Sequence, residues 1–311
     1  MLWSLPALFS SCSAREELPR ARESQIYIQS TKYPIQGSVD LFCFDMAGPC
    51  RLDSYQKVPV VGTAPVYGIS TRGPRRLVAI SGLRAAREDW MEIRTYGDIC
   101  KKRFSLADDA PTAPLMVSEA VLEDAAAQQV SLSLKPMLVR IRLRSLSADF
   151  GARPYAGTPF FNSSIFLGYA VQECLPLGSA DGPRPLSWLN TGLPDSLAVM
   201  QLPFPEMLLQ DGVGAVGKTR IFPGREFYCY PSDELRLTLA GRVGEDVCYY
   251  PVPLPGLRAG ETCELDITLQ RKGSPDPDIP VQPGAILVET QTVPWVREEP
   301  RTFEFPSYDE S

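Results

Sequence analysis

The stretch Met137-Leu138-Val139-Arg140-Ile141-Arg142-Leu143-Arg144 keeps a strict two-residue beat, with Met137, Val139, Ile141 and Leu143 alternating against Arg140, Arg142 and Arg144. Successive side chains of an extended strand leave opposite faces, so this pattern predicts a β-strand with one face in a core and three arginines in solvent. A row of arginines also suits a polyanion. The chain as a whole is acidic and no aromatic residue interleaves the arginines, so a solvated strand face is the expected reading.

The same beat recurs outward in both directions. Val39, Leu41 and Cys43 alternate with Asp40, Phe42 and Phe44 and end at the turn Asp45-Met46-Ala47-Gly48, which predicts a central strand apolar on both faces. Leu77-Val78-Ala79-Ile80, bounded by Gly73-Pro74 and Gly82, predicts another interior strand. Downstream, Leu235, Leu237 and Leu239 run to a turn over Gly241–Gly244, and Val247-Cys248-Tyr249-Tyr250 returns as the second arm of a hairpin. Cys263, Leu265, Ile267 and Leu269, then Ile286, Val288, Thr290 and Thr292, give two more strands. Between them, 85–100 lacks the two-residue beat and predicts a short helix, as do residues 118–129. The composition changes at Phe150-Gly151-Ala152-Arg153-Pro154, which sets an expected boundary between units at 25–150 and 151–311.

Composition supports this all-β reading. Among 311 residues there are 30 prolines, each of which removes a backbone donor and fixes φ, so long helices and a fully parallel sheet are disfavoured. With 31 basic and 37 acidic residues the formal charge is −6, which argues against nucleic acid as a partner. There is no histidine, so imidazole-based triads, histidine zinc sites and histidine pH switches are excluded.

The remaining motifs are weak as chemistry. Asp276-Pro277-Asp278 follows Gly273-Ser274-Pro275 and reads as a turn, not a metal or acid-base pair. Gly212 and Gly217-Lys218-Thr219 match the phosphate-loop spacing, but prolines on both sides leave no room for the required helix. No Cys-x-x-Cys pair occurs among Cys43, Cys50, Cys100, Cys174, Cys229, Cys248 and Cys263, which predicts mostly buried free thiols. No catalytic constellation, metal site or cofactor is implied, and an enzyme is not the expectation.

The N-terminus reads as a targeting segment. Met1–Ser11 is apolar but too short to span a bilayer, and Phe9-Ser10-Ser11-Cys12 is similar to a bacterial lipobox. Residues 1–11 are therefore expected to be a lipoprotein-type signal peptide, Cys12 the lipidated residue and 12–24 a polar tether. No lysine or arginine precedes the apolar run, as a start codon set too far downstream would leave it.

Several segments together resemble a known family. Val39-Asp40-Leu41-Phe42-Cys43-Phe44-Asp45, Leu77–Gly82, Met137–Leu143, Phe227-Tyr228-Cys229-Tyr230-Pro231, Tyr249-Tyr250-Pro251-Val252-Pro253-Leu254, Ile267–Asp278 and Val293-Pro294-Trp295 are similar, in that order, to fimbrillin-type subunits of surface pili from gut and oral anaerobic bacteria. The likeness is greatest to the fimbrial anchor or accessory branch. It implies an all-β chain of two tandem transthyretin-like, Greek-key sandwiches with short helices in the connections, Met137–Leu143 being the last strand of the first.

It also implies a cell-surface lipoprotein of the outer membrane that joins other fimbrial subunits by donor-strand addition and supports adhesion to a host or bacterial receptor. In the family's stalk subunits a protease cuts after arginine to open the acceptor groove. Arg15, Arg20 and Arg22 are the matching positions, but a cut there would free only a short lipidated peptide, so an anchor or accessory subunit is expected. The alternatives are a cleaved stalk or tip subunit, or an adhesin presenting Trp188 or Tyr155 to a glycan or host protein. The tail alternates Phe303 and Phe305 about Glu304 and could form a short exposed strand.

Overall fold

A computed structural model describes residues 24–30, 33–60, 66–70, 73–82, 90–123, 130–151, 154–178, 183–189, 207–209, 218–221 and 226–295. Cys12, Arg15, Arg20, Arg22 and the Phe303–Phe305 tail lie outside these residues. The first strands are β1 (Ser24–Ser30), β2 (Ser38–Asp45), β3 (Leu52–Pro59), β4 (Val66–Ser70) and β5 (Arg75–Ser81). After α1 (Tyr96–Cys100) come β6 (Phe104–Ser105), a 3-10 turn over Leu106–Asp108, β7 (Met116–Leu122), β8 (Val130–Pro136) and β9 (Val139–Ala148). The later strands are β10 (Phe160–Gly168), β11 (Ala170–Leu175), β12 (Arg184–Leu189), β13 (Met207–Leu209), β14 (Lys218–Ile221) and β15 (Glu226–Cys229). The last four are β16 (Arg236–Val243), β17 (Asp246–Pro253), β18 (Glu261–Leu269) and β19 (Ile286–Pro294). The protein is all-β, as its patterning predicts. Among the described residues no helix is long and apolar enough to cross a membrane.

Strands β3-β2-β5-β7-β8-β1-β4 form one sheet in that order. Its β7–β8 joint holds only two residue pairs, Met116↔Pro136 and Val117↔Lys135, so the sheet folds over there. Leu41 of β2 then reaches across to Gly68 of β4, where a Cβ would stand 2.2 Å from its Cδ2, and the two layers meet face to face. The opposite face of β2 is covered too. Phe42 packs edge-on against Trp90 and Phe44 against Tyr96, with ring centroids 5.1 and 5.8 Å apart. Burial on both faces is why β2 reads as apolar throughout.

The helix expected over 85–100 is described only from Trp90 on, where α1 occupies the last five residues. Thr95 and Asp98 form a capping box that starts it, and Ile99 is buried beneath it. The helix expected over 118–129 is corrected as far as Leu122: β7 pairs in register with β5 from Met116↔Ser81 to Leu122↔Arg75, and 124–129 fall outside the described residues. Cross-strand packing overrides the local helix preference of Glu119 and Ala120.

The strand Met137–Leu143, expected to close the first sandwich, is corrected in its partners. β9 pairs with β14 and β15 along one edge and runs parallel to β18 on the other, with β19 outermost. A third sheet, β13-β10-β16-β17, and a short fourth one, β12-β11-β6, complete the fold among the described residues. In β16, Gly241 is a strand residue and not a turn; a Cβ there would lie 2.4 Å from the Phe160 ring, and the hairpin turns instead at Gly244-Glu245. Buried residues of all these sheets join one continuous core.

Candidate interaction edge

Among the described residues, β18 and β19 build an edge that nothing else on this chain covers. All nine residues of β19 pair antiparallel with β18, from Glu261↔Pro294 to Leu269↔Ile286, without a bulge. No strand pairs with its other side among the described residues. The inward side chains, read from the register, are Ile286, Val288, Thr290 and Thr292. Ile286 and Val288 pack on the core, whereas Thr290 and Thr292 stay exposed although their cross-strand partners Leu265 and Cys263 are buried. Thr290 and Thr292 therefore lie beyond the rim of the core.

On the outward face Leu287 is 48% exposed and Glu289 is the only charged residue of the strand. Strand edges are normally blunted with lysine, proline inside the strand, bulges or a covering loop. Among the described residues β19 carries only one of these devices at its end, Pro294, and one charge, Glu289.

The arginine row of β9 lies on the same outward face. Arg142 donates from Nε to Glu226 of β15 at 2.8 Å and from Nη1 to Glu264 of β18 at 3.3 Å. Arg144 reaches Glu264 at 3.2 Å and Asp266 at 2.5 Å, and those carboxylates stabilise its charged form and push its pKa up. Ser145 adds a hydrogen bond to Asp266. Arg140 departs from the solvated reading: it is 7% exposed, donates to Thr262 at 3.0 Å and lies 5.7 Å from the Trp295 ring centroid. The row is thus a neutralised ladder between strands and not a free basic patch. Its acidic half could have been found in the sequence, since Glu264 and Asp266 alternate with the core residues of β18 just as the arginines do in β9.

Trp295 ends the edge strand and is 5% exposed. Its backbone N–H donates to the Gly260 carbonyl at 2.7 Å, and its ring stands 5.5 Å from Tyr33 and 5.4 Å from Tyr228. The Tyr228 hydroxyl donates to Glu226; burial and that carboxylate push its pKa up. Beside Trp295 a cavity of about 280 Å³ is lined by Lys135, Pro136, Gly260, Glu261 and Thr292. This aromatic lock escaped sequence reading because its members are far apart in the chain.

Other sequence-derived candidates fall elsewhere. The Trp188 side chain lies outside the described residues, and Lys272 sits 5.6 Å from the Tyr155 ring centroid, so that ring face is already occupied. Lys218 and Thr219 belong to β14, paired with Ala148 and Ser147, where a phosphate loop needs a helix. Asp276 accepts the Asp278 N–H at 2.8 Å and Asp278 pairs with Arg236 at 3.1 Å, which makes them a turn and an ion pair. Among the described residues no cluster of three or more metal-ligating side chains forms. All seven described cysteines are free, and five of them are buried, Cys43, Cys174, Cys229, Cys248 and Cys263. Burial pushes the Cys263 thiol up to about 11, so it stays neutral and unreactive at ordinary pH.

This arrangement of sheets is the fold of fimbrillin-type subunits, the class its sequence resembles. In particular, the chain is similar to a fimbrilin (FimA) from Porphyromonas gingivalis W83, with a TM-score of 0.61 at 14% identity over 88% of this chain and 97% of that one. Proteins described as candidate cell adhesion proteins match as well. One from Parabacteroides distasonis ATCC 8503 has a TM-score of 0.64 at 12% identity, covering 88% of this chain and 97% of the other. One from Bacteroides eggerthii DSM 20697 has 0.59 at 18%, covering 88% and 96%. No protein-family model and no curated protein matches the sequence.

Proposed function

We propose that this chain is a non-enzymatic subunit of a surface pilus, joined to neighbouring subunits by addition of a β-strand. The observation that carries the reading is the outer edge of β19, unpaired among the described residues, with exposed Leu287 on one face and exposed Thr290 and Thr292 on the face that an opposing layer would cover. An open edge offers unpaired backbone donors and acceptors, and an added strand satisfies them while its alternate side chains extend the core beyond β19. The fold shared with a fimbrilin supports the reading.

The finer assignment has three parts. The chain forms two transthyretin-like sandwiches in tandem, with residues from Val139 onward contributing to the second. It is lipidated at Cys12 and held at the outer membrane surface by the tether that follows. It acts as an anchor or accessory subunit, uncut at Arg15, Arg20 and Arg22. A photo-crosslinking residue in place of Leu287, in cells making pili, is expected to trap another pilus subunit; a clean monomer in isolated pili overturns strand addition at this edge. Fatty-acid labelling lost in Cys12→Ala supports the anchor, and an unlabelled parent protein overturns it.

A further inference from the structure

The segment between α1 and β7 leaves one group of strands, the β3-β2-β5-β7-β8-β1-β4 sheet, and joins the other, the three sheets built on β9–β19. β6 pairs with β11 through Phe104↔Cys174 and Ser105↔Glu173, and the 3-10 turn ends at Asp109. The Asp109 carboxyl then does three things. Its Oδ1 accepts the Ala110 and Leu115 N–H groups, each at 2.8 Å, which closes the 109–115 loop. Its Oδ2 lies 3.3 Å from the hydroxyl of Tyr230, a residue that is 1% exposed and bridged to Val171 of β11. The loop it closes receives the Tyr33 hydroxyl on Pro111 and the Gln36 amide on Thr112, and Leu115 accepts the Met137 N–H. Tyr33 in turn packs on Trp295. One carboxyl therefore ties together the β1–β2 connection, the start of β7 and the end of β15.

The surroundings do not suit a charge. Asp109 as a residue keeps some exposed surface, but its carboxyl turns inward beside a small cavity of about 10 Å³ lined by Phe104, Ser105, Asp108, Leu115 and Tyr230. The titratable groups around it are Asp108 from its own turn, Tyr230 at the end of β15 and the buried Cys174 thiol of β11, all neutral or acidic. Gly82, which also lines the cavity, brings no charge. At 3.3 Å the Tyr230 hydroxyl lies beyond the roughly 2.5–3.0 Å of a normal O–H···O hydrogen bond, so it does little to stabilise an ionised carboxylate.

We infer that Asp109 is a proton-dependent clamp: protonated, it holds the 104–115 segment against Tyr230 and β11, and on ionising it is drawn toward water and loosens the junction between the two groups of strands. Proton loss from Oδ2 to solvent is the only chemical step. Burial raises the carboxyl to about 7, ahead of the lowering by the Leu115, Ala110 and Tyr230 hydrogen bonds. The folded state thus binds its proton more tightly than the unfolded chain, so the clamp's contribution is complete in acid and is lost as pH rises through about 7. The inference does not depend on the pilus assignment.

The test uses the chain lacking only its signal segment. Carboxyl 13C resonances of aspartate are followed against pH, and hydrogen exchange at the Ala110 and Leu115 amides is measured with intrinsic rates divided out. The Asp109 carboxyl is expected to titrate near neutrality, with amide protection falling severalfold over the same range. Asp109→Asn, which keeps an oxygen acceptor but cannot ionise, is expected to abolish that fall, whereas Tyr230→Phe leaves it in place. Titration of Asp109 in the ordinary carboxylate range, or an equal fall in Asp109→Asn, overturns the clamp. Should Asp109→Asn fail to fold, the carboxyl titration of the unaltered protein decides alone.

Discussion

β17 and β19 are both outermost strands, of eight and nine residues, each joined antiparallel to a long neighbour. They differ in what meets the outer side. At β17 the chain passes back as a strap: Tyr249 and Ser274 exchange backbone hydrogen bonds at 2.7 and 2.9 Å, and the buried Tyr250 hydroxyl holds the Arg271 carbonyl at 2.9 Å. Lys272 fastens the strap to Asp246 at 2.7 Å, and Pro251 and Pro253 have no N–H to offer. β3 is blunted differently, by exposed Asp53 and Lys57, a terminal proline and a bulge against Cys43 and Phe44. β19 has neither a strap, a bulge nor a cation among the described residues. Two outer strands are thus blunted by different devices, whereas β19, beyond its terminal proline, shows none of these among the described residues.

The contrast can be broken from the closed side. Tyr250→Ala removes a fully buried ring that packs on Phe160 and anchors the strap, and is expected to cost about 3–5 kcal/mol in urea unfolding. A loss below about 1 kcal/mol would mean that the strap is held by other contacts. Gly273→Ala places a Cβ 2.5 Å from the Tyr249 carbonyl oxygen, inside the strap's own hydrogen bonds. About 1–3 kcal/mol is expected, together with concentration-dependent association as β17 is uncovered; light scattering reads the second effect.

The open side is sharpened by smaller changes. Arg142→Ala removes the cation shared by Glu226 and Glu264, leaving them with Arg140 and Arg144 respectively, with an expected cost of about 1 kcal/mol by chemical denaturation. Leu287→Lys supplies the cation that β19 lacks. It is expected to change folding stability by less than about 0.5 kcal/mol while suppressing incorporation into pili. Unchanged incorporation would show that partners do not use this edge.

Much of this architecture is legible in the sequence at the level of faces. The apolar run Val39–Phe44 is a strand buried on both sides, and Leu235–Tyr250 is a hairpin. Neighbours are harder to read. The beat of Met137–Leu143 gives its inward face correctly, yet says nothing of its pairing with residues 262–269, because a period of two is the same in any sheet. The 118–122 segment misleads because Ser-Glu-Ala suits a helix when judged alone. The edge was legible only as a strand: Ile286, Val288, Thr290 and Thr292 show its face, but an unpaired side is a property of the surrounding sheets. Asp109 had no motif at all, since its three partners are supplied by backbone and by a tyrosine on another strand.

The parallel pairing of β9 with β18 also sets an order in time. Glu261 follows Ala148 at a long separation in the chain, so the two strands meet only after that intervening chain is in place. Loop closure over so long a separation is slow compared with local hairpins such as β16–β17. Until it occurs the arginines of β9 lack the Glu264 and Asp266 partners of β18, and like charges along an unfinished edge disfavour pairing with another chain. The ladder that neutralises the finished face would thus have served, unpaired, as the guard of the growing one.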